Sequence, residues 1–546
     1  MRTILPAFLL LAGSATAQWA TPDVNTRVSG PGNVGAAVPL VAPGPDGSTY
    51  IAWHEAASGY RLMMQRLDAD GVALWDEGGI VVSDAPQNSA LFRSDMKGDH
   101  AGNTIVAFQD ERSGQLDIVA YRVAPDGTLL WGDGLALPTP GTTGLAPVIG
   151  VLADDRVVIA WNTGSSPATV AYRILPATGM PAAEDPVEIG GSGIHGRPKV
   201  VPTADGGFWL QYVHQPGNFL SPGTMHAVRF NVDGEELLTT VVSTATITGF
   251  YFPEPVGDGS DGFYVAFNTG NAANPSMTDV VVQRVRADGT TWSATGTPVE
   301  NGAATNRYAN NTAPALIDDD AGLMIAYSRK NGAQSEGGVH VQRFDTAGTA
   351  LLGPDGAEVI AMSNALPEPF GTVATPAGAV FGCTMGGFGT TTAGAYHVGL
   401  DGAMELPAPV PLAATPSGID DAAITPFHAG QAVAVWQDDR HGGSVLAQPV
   451  QLDFGVGVAD HGGPAVTLLH GPEAVLHFGQ ATHGPVHIAL LGADGRLLHE
   501  RQLPPQGAGA RVPLHMPAQA RGVLLVRITD IPPHGGTNST VLRTVH

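Results

Sequence analysis

One pattern returns eight times along this chain and leaves few folds open to it. Each copy holds an apolar strand ending in an aromatic, a polar loop, a strand usually carrying arginine, and a glycine turn. The first of these strands reads Tyr50 to Trp53, Ile105 to Phe108, Val158 to Trp161 and Phe208 to Tyr212. It continues as Phe263 to Phe267, Met324 to Tyr327, Ala379 to Cys383 and Ala432 to Trp436. The arginine strand runs into its turn at Gly71, Gly127, Gly179, Gly234, Gly289, Gly348 and Gly402, with a degenerate eighth copy at Gly455. Six intervals separate Gly71 from Gly402, about 55 residues each, room for four strands and one generous loop. Asp-Gly between apolar runs is a strong hairpin signal. An inner strand, often entered through proline (Pro147, Pro198, Pro255, Pro314, Pro369), precedes the aromatic-ended one. An outer strand such as Leu74 to Val82 or Leu130 to Leu137 closes the unit. The reading is an all-β, eight-bladed β-propeller, with seven blades as the fallback if the weak seventh copy is over-counted.

A ring needs a seal. The eighth copy ends near Asp453 without an outer strand, and Gln18 to Ser29 mimics the Leu74-Trp75 segment that serves blade one. Pairing the N-terminal strand with the last blade removes the open edges that invite aggregation. The composition agrees: 72 Gly and 43 Pro supply turns while the hydrophobic fraction stays at 43%, unlike a disordered chain. The only cysteine, Cys383, lies in an apolar run. It reads as a buried structural thiol, and burial alone must hold the fold.

Met1-Arg2, the apolar run Ile4 to Ala12 and Ala15-Thr16-Ala17 have the form of a secretory signal peptide over residues 1–17, so the protein is expected to be secreted or displayed at the outer cell surface. No later stretch is long enough for a membrane-spanning helix. The formal net charge of −24 speaks against nucleic acid and anionic membranes as partners.

The repeats occupy residues 18–457, and a different pattern follows over 458–546. Val486 to Leu498 forms a hairpin around Asp494-Gly495, then come Gly522 to Thr529 and a final strand, Thr540 to Val545. Alternation along these strands predicts a small β-sandwich. The order and wording resemble the type A C-terminal sorting domain of the type IX secretion system. The resemblance covers about the last 85 residues; Leu524 or Leu525 stands where that family has an aromatic, and the Lys-rich ending is missing. It implies partnership with a type IX-like secretion machinery of the Bacteroidota type. The propeller repeats are similar to those of surface proteins with such tails. Nine of the 18 histidines fall in this region, without the HExxH or His-x-His spacing of a zinc site.

Sialidase-type Asp-boxes, a Gly-x-Ser-x-Gly elbow, zinc spacing and a phosphate loop are all missing from the sequence. The pairs Asp110-Glu111 and Asp438-Asp439 precede Arg112 and Arg440 at one repeat position, and Arg66, Arg122, Arg173, Arg229, Arg284 and Arg343 recur likewise. Ring-symmetric copies read as pairing chemistry within the blades. A site is better sought where the repeats differ. Loops swell at Val213 to His226, Asn268 to Asp279 and Ser328 to Gly338, on the face shared with the blade-to-blade connections. Those loops and connections bring His195, Arg197, Phe219, Phe250, Tyr251, Phe252, Asn306, Arg307, Tyr308, Asn310 and Asn311 to one face. Aromatics beside amides and cations suit a glycan or peptide. The expected function is an exported binding, adhesion or scaffold module, leaning away from an enzyme. The alternative is a carbohydrate-active hydrolase or lyase on the face of blades four to six. No cofactor is called for; Asp318, Asp319 and Asp320, in an inner turn on the opposite face, offer the hard oxygens that calcium takes.

Overall fold

The computed structural model describes residues 19–32, 35–57, 59–87, 93–179, 185–218, 221–247, 253–270, 277–300, 307–311, 314–317, 322–375, 377–387 and 389–452, and seven strands between residues 466 and 545. The chain divides into two compact units, Met1–Gln451 and Leu452–His546. Among the described residues no helix is long and apolar enough to cross a membrane.

The first unit is all-β. Each repeat becomes an antiparallel run of strands in sequence order, as in Ala36–Pro43, Thr49–Ala57, Gly59–Leu67 and Ile80–Gln87. The later repeats open with Asp95–Gly98, Gly144–Val151, Ile194–Pro202, Glu254–Gly257, Ala315–Ile317, Glu368–Thr375 and Ile419–Ile424. Arg307–Asn311 pairs beside Ala315–Ile317 on the same partner strand. A single pairing, Ile247 with Thr269, links the fourth and fifth sheets. These opening strands touch one another in sequence order, and Ile419–Ile424 touches Ala36–Pro43.

Face-to-face packing follows from strand alternation. Along each second strand the terminal aromatic faces the preceding sheet, and the residue before it faces the next one. Trp53 packs with Val433, Val435 and Val445 of the eighth repeat, whereas Ala52 packs with Val106 and Phe108 of the second. Trp161, Tyr212, Phe267 and Tyr327 repeat this placement at later seams. Cys383 takes the aromatic position in the seventh repeat, fully buried, and burial pushes its thiol pKa well up. It is a structural thiol, as its run implied.

The recurrent arginines are structural too. Arg66 donates to the carbonyl of Pro125 at 2.9 Å, Arg122 to Ala177 at 2.7 Å, Arg229 to Ala287 at 2.6 Å and Arg284 to Thr346 at 3.1 Å. Each acceptor sits two residues before the turn glycine of the next sheet. An outer tryptophan reaches the same carbonyl: Trp75 to Pro125, Trp131 to Ala177 and Trp292 to Thr346. Trp19 does this for Ala69, at 2.9 Å. At Gly71 two demands coincide, a φ of +83° and a Trp19 ring that would lie 2.5 Å from any Cβ; only glycine meets both.

Trp19 thus behaves as the outer tryptophan of the eighth repeat. Thr26–Arg27 pairs with Leu446 and Ala447. Asn25 donates to the carbonyl of Leu412 at 2.6 Å and to Gln448 at 3.0 Å, and accepts from Arg440 at 2.9 Å. The N-terminal segment therefore supplies the outermost strand of the last repeat's sheet.

In the second unit Val466–Leu469, Ala474–Phe478 and Arg511–Leu514 form one antiparallel sheet. Leu497–Leu503, Val486–Gly492, Val523–Asp530 and Asn538–Val545 form another, in that order.

Candidate functional site

The opening strands are not regular. Their pairing skips between Ala37 and Leu40, Leu145 and Val148, Gly196 and Lys199, and Asp420 and Ala423. At each skip one residue takes the left-handed region: Val38 at φ 52°, Ala146 at 53°, Arg197 at 57° and Asp421 at 48°. For β-branched Val38 this is a real conformational penalty, on the order of 1–3 kcal/mol. Pro39, Pro147 and Pro198 follow three of them, where a missing N–H costs the ladder nothing. Two of the prolines that read as strand entrances, Pro147 and Pro198, mark bulges inside the strands.

What holds these bulges is a side-chain carbonyl from the preceding sheet. The Val38 amide donates to Gln437 at 3.3 Å, the Ala146 amide to Gln109 at 3.1 Å, and the Arg197 amide to Asn162 at 2.7 Å. Gln437, Gln109 and Asn162 each follow the strand-ending aromatic, so one sequence position braces three bulges.

All four bulged residues line one cavity of about 790 Å³, walled by the opening strands of sheets one to five and eight. Its described charges are Arg93, Lys97, Arg197 and Lys199 against Asp95, Glu254 and Asp421. Lys97 lies 3.3 Å from Asp95, whose charge raises the lysine pKa most; Asp95 also accepts the Ile149 amide at 2.8 Å. Lys199 meets Glu254 at 2.7 Å across the seam between sheets four and five. Burial lowers both Arg93 and Arg197, and Arg93 lowers Arg197 further. Burial, with Asp420 beside it, raises the Asp421 carboxyl above the usual range.

Beside the cavity, on the face of the fourth sheet turned toward the third, stands a ladder of rings. His195 is opposite His214 and Tyr212 opposite His226 in the strand register. Ring centres lie 4.7 Å apart for His195 and His214, and 5.6 Å apart for His195 and Tyr212. Tyr212 stacks on His226 at 5.6 Å. His195 is 8% exposed and its Nδ1 has no hydrogen-bond partner. Burial first, then His214, lowers its pKa; burial also lowers His226 and raises the Tyr212 phenol. His214 Nε2 lies 2.8 Å from the Ser192 carbonyl. A carbonyl only accepts, so Nε2 carries a proton, and in the neutral ring Nδ1 is the acceptor. The rings pack against one another tilted, stacked and edge-on, and among the described residues no group of three or more His, Cys, Asp or Glu is arranged to hold a metal ion.

Of the site residues expected from sequence, His195 and Arg197 belong to this region, in one strand. Arg307, Tyr308, Asn310 and Asn311 lie in a strand paired with Gly322–Asn331, and only their backbone is described. Phe219, Phe250, Tyr251, Phe252, Asn306 and the triplet Asp318, Asp319, Asp320 lie outside the described residues. The swollen loops are also shorter than they read. Strands continue to Gln215, Gly270 and Asn331 and resume at Gly223, Thr278 and Gly337, so His214 and His226 are strand residues. The acid–arginine pairs are structural: Arg112 binds Asp110 at 2.6 Å and Arg440 binds Asp438 at 2.7 Å. Arg93, Asp95, Lys97, Lys199, Glu254 and Asp421 went unseen in sequence. The signal for all but Arg93, which precedes its strand, was charge inside the opening strands.

No family model and no curated protein matches the sequence. Solved structures resemble it in trace. An ulvan lyase of a polysaccharide lyase family aligns at 11% identity and TM-score 0.48, over 78% of this chain and 95% of that one. Another polysaccharide lyase aligns at 10% identity and TM-score 0.42, over 70% and 94%. An α-L-arabinanase from Penicillium chrysogenum, complexed with arabinobiose, aligns at 13% identity and TM-score 0.36, over 59% and 97%.

Proposed function

We propose that the first unit is an eight-bladed β-propeller carrying a polysaccharide-cleaving site of lyase type at the seam of blades three and four. This replaces the plain binding role as the preferred reading. The observation behind it is the ring ladder, two imidazoles and a phenol in contact, next but one along the strand to a cation that lines the cavity.

Elimination from a uronate unit needs three things, and each has a candidate. Arg197 meets the carboxylate and so acidifies the proton on the adjacent carbon. His214 Nδ1, with its tautomer set by Ser192, takes that proton. As the electron pair forms the carbon–carbon double bond, the glycosidic carbon–oxygen bond breaks, and the Tyr212 phenol gives the leaving oxygen its proton. Burial makes that phenol hold its proton more tightly, and burial with His214 disfavours the charged form of His195. The net charge of −24 does not oppose an acidic substrate here, because charges beyond a Debye length of about 8 Å are screened and the cavity's own cations are nearer.

Asp421 favours a second reading. A carboxyl that burial makes hold its proton more tightly, inside the same cavity, is what a hydrolase acid requires. One experiment separates the two. The protein is incubated with a panel of uronate polysaccharides while ultraviolet absorption of the new double bond and new reducing ends are followed together. Both signals rising supports the lyase; reducing ends alone assign a hydrolase; neither returns the chain to a binding role. The same proposal holds residues 1–17 to be an export signal and the second unit a sorting domain.

A further inference from the structure

The outer rim of sheet four differs from the other described rims of this unit. Its outer strand, Glu236–Ile247, is twelve residues long, the longest of the described strands, whereas that of sheet three has three, Val187–Ile189. The other long outer strands carry residues that blunt an edge. Asp84 and Pro86 stand in Ile80–Gln87, Glu358 in Ala357–Ser363, and Pro411 and Pro416 in Val410–Ser417. From Leu237 to Ile247 there is no charge, proline or glycine. The strand is also open. It pairs with Gly223–Phe230 on its inner side; beyond it, the described pairing is Ile247 with Thr269, and Thr244 donates to the Ala294 carbonyl at 2.8 Å. Among the described residues no strand pairs with the outer edge of Glu236–Val241. Leu238 and Val242 pack toward sheet five, which leaves Thr239 and Val241 on the face toward sheet three. Across that seam stands Val187, opposite Tyr172, whose ring packs on Phe208 of sheet four. Val187 is 54% exposed, Val241 46% and Leu237 51%.

We propose that the outer strand of sheet four is the docking edge for a second copy of this chain, added antiparallel about a two-fold axis beside Thr239. The choice of occupant rests on self-complementarity. With Thr239 opposite its own copy, Leu237 comes opposite Val241 on both sides of the axis. Aliphatic pairs and a Thr–Thr pair are favourable cross-strand neighbours. Glu236 then comes opposite Val242 and Glu235 opposite Ser243, so the acids of the two copies fall at opposite ends and no carboxylate meets another. On a chain of net charge −24 that separation is needed. The inner pairing skips at Leu237 and Val242, and bulges there bend the strand at both ends and keep the contact short. One patch meeting itself makes an isologous contact, which closes at two copies.

Sedimentation velocity on the full chain over a range of concentrations tests this. The wild type should pass from monomer to dimer, and added salt should tighten the dimer by screening its net charge. Thr239→Lys sets two ammonium groups face to face and should weaken the dimer at least about tenfold. Its melting temperature should change little, because Thr239 is exposed. Leu130→Lys, at an exposed position of sheet two, should leave the dimer unchanged. The register has its own readout. Thr239→Cys should give a disulfide-linked dimer under mild oxidation, since directly opposed Cα atoms lie about 4.5–5.5 Å apart; Val241→Cys, which faces Leu237, should not. Cys383 is buried and takes no part. A wild type that stays monomeric at every concentration overturns the proposal, as does a dimer that survives Thr239→Lys or a mass that grows beyond two copies. Equal cross-linking by the two cysteine variants overturns the axis beside Thr239. Thr239→Lys also supplies a monomeric background in which association through the eighth sheet is read by itself. None of these readouts depends on cleavage.

Discussion

The backbone N–H of Arg197 donates to Oδ1 of Asn162 at 2.7 Å, from sheet four to sheet three. A left-handed residue in one repeat is thus held by a side chain of its neighbour, and the cavity's shape depends on the seam between them. Asn162→Leu should remove the acceptor and leave a backbone donor unsatisfied, a loss of roughly 1–3 kcal/mol of stability. Cleavage should fall further than stability alone explains, with KM rising as Arg197 loses its fixed direction. Asn162→Asp, which still accepts, should recover most of both. Urea denaturation alongside steady-state kinetics reads the two effects separately.

Removing the imidazole base is the sharper test of chemistry. His214→Gln should lower kcat by about 10²- to 10⁴-fold with the fold intact. Tyr212→Phe should lower it comparably, and its melting temperature should change little, because the ring contacts with His195 and His226 remain. Activity unchanged in both variants would remove the lyase site from this seam.

His54 gives a pH signature independent of function. It is almost fully buried, and burial lowers its pKa from 6.5 to about 4. The unfolded chain binds this proton at higher pH than the folded one. The stability associated with its neutral form is therefore intact above pH 6.5 and is lost as pH falls from 6.5 toward about 4. The slope should approach about 1.4 kcal/mol per pH unit from this residue. His54→Gln should flatten that limb in chemical denaturation between those values.

The N-terminal seal predicts a solubility phenotype. Asn25→Ala removes contacts to Leu412, Gln448 and Arg440 and should cost about 2 kcal/mol or more. Deleting residues 19–29 bares the edge of Ser444–Gln451 and should yield concentration-dependent association, visible by light scattering. A deletion variant that stays monomeric at unchanged melting temperature would mean the seal is dispensable.

The sheets were legible in sequence because their causes are local and repeated. The aromatic of Trp53 or Phe108, the Asp-Gly turn and the arginine that reaches the next turn recur with the same spacing. The outer role of Trp19 could be read from its likeness to Trp75. The cavity was not legible in the same way. Left-handed backbone at Val38 runs against the preference of a β-branched residue, and the Gln437 side chain of another repeat holds it. Gln109, Asn162 and Gln437 looked like polar loop starts, although their shared position after an aromatic was visible. His214 and His226 read as loop residues because charge and imidazole interrupt the apolar pattern just where the strands continue.

The pairing of Thr26–Arg27 with the strand that ends at Gln451 also governs when this unit can be finished. A segment made before any of the repeats waits for a partner among the last of them to arrive. Until then each sheet has its neighbours but the eighth lacks its outermost strand. Once the latch engages, neither end offers a place from which repeats can peel away one by one. A chain joined in this way should come apart in a single concerted event, and proteases should find it either intact or wholly open.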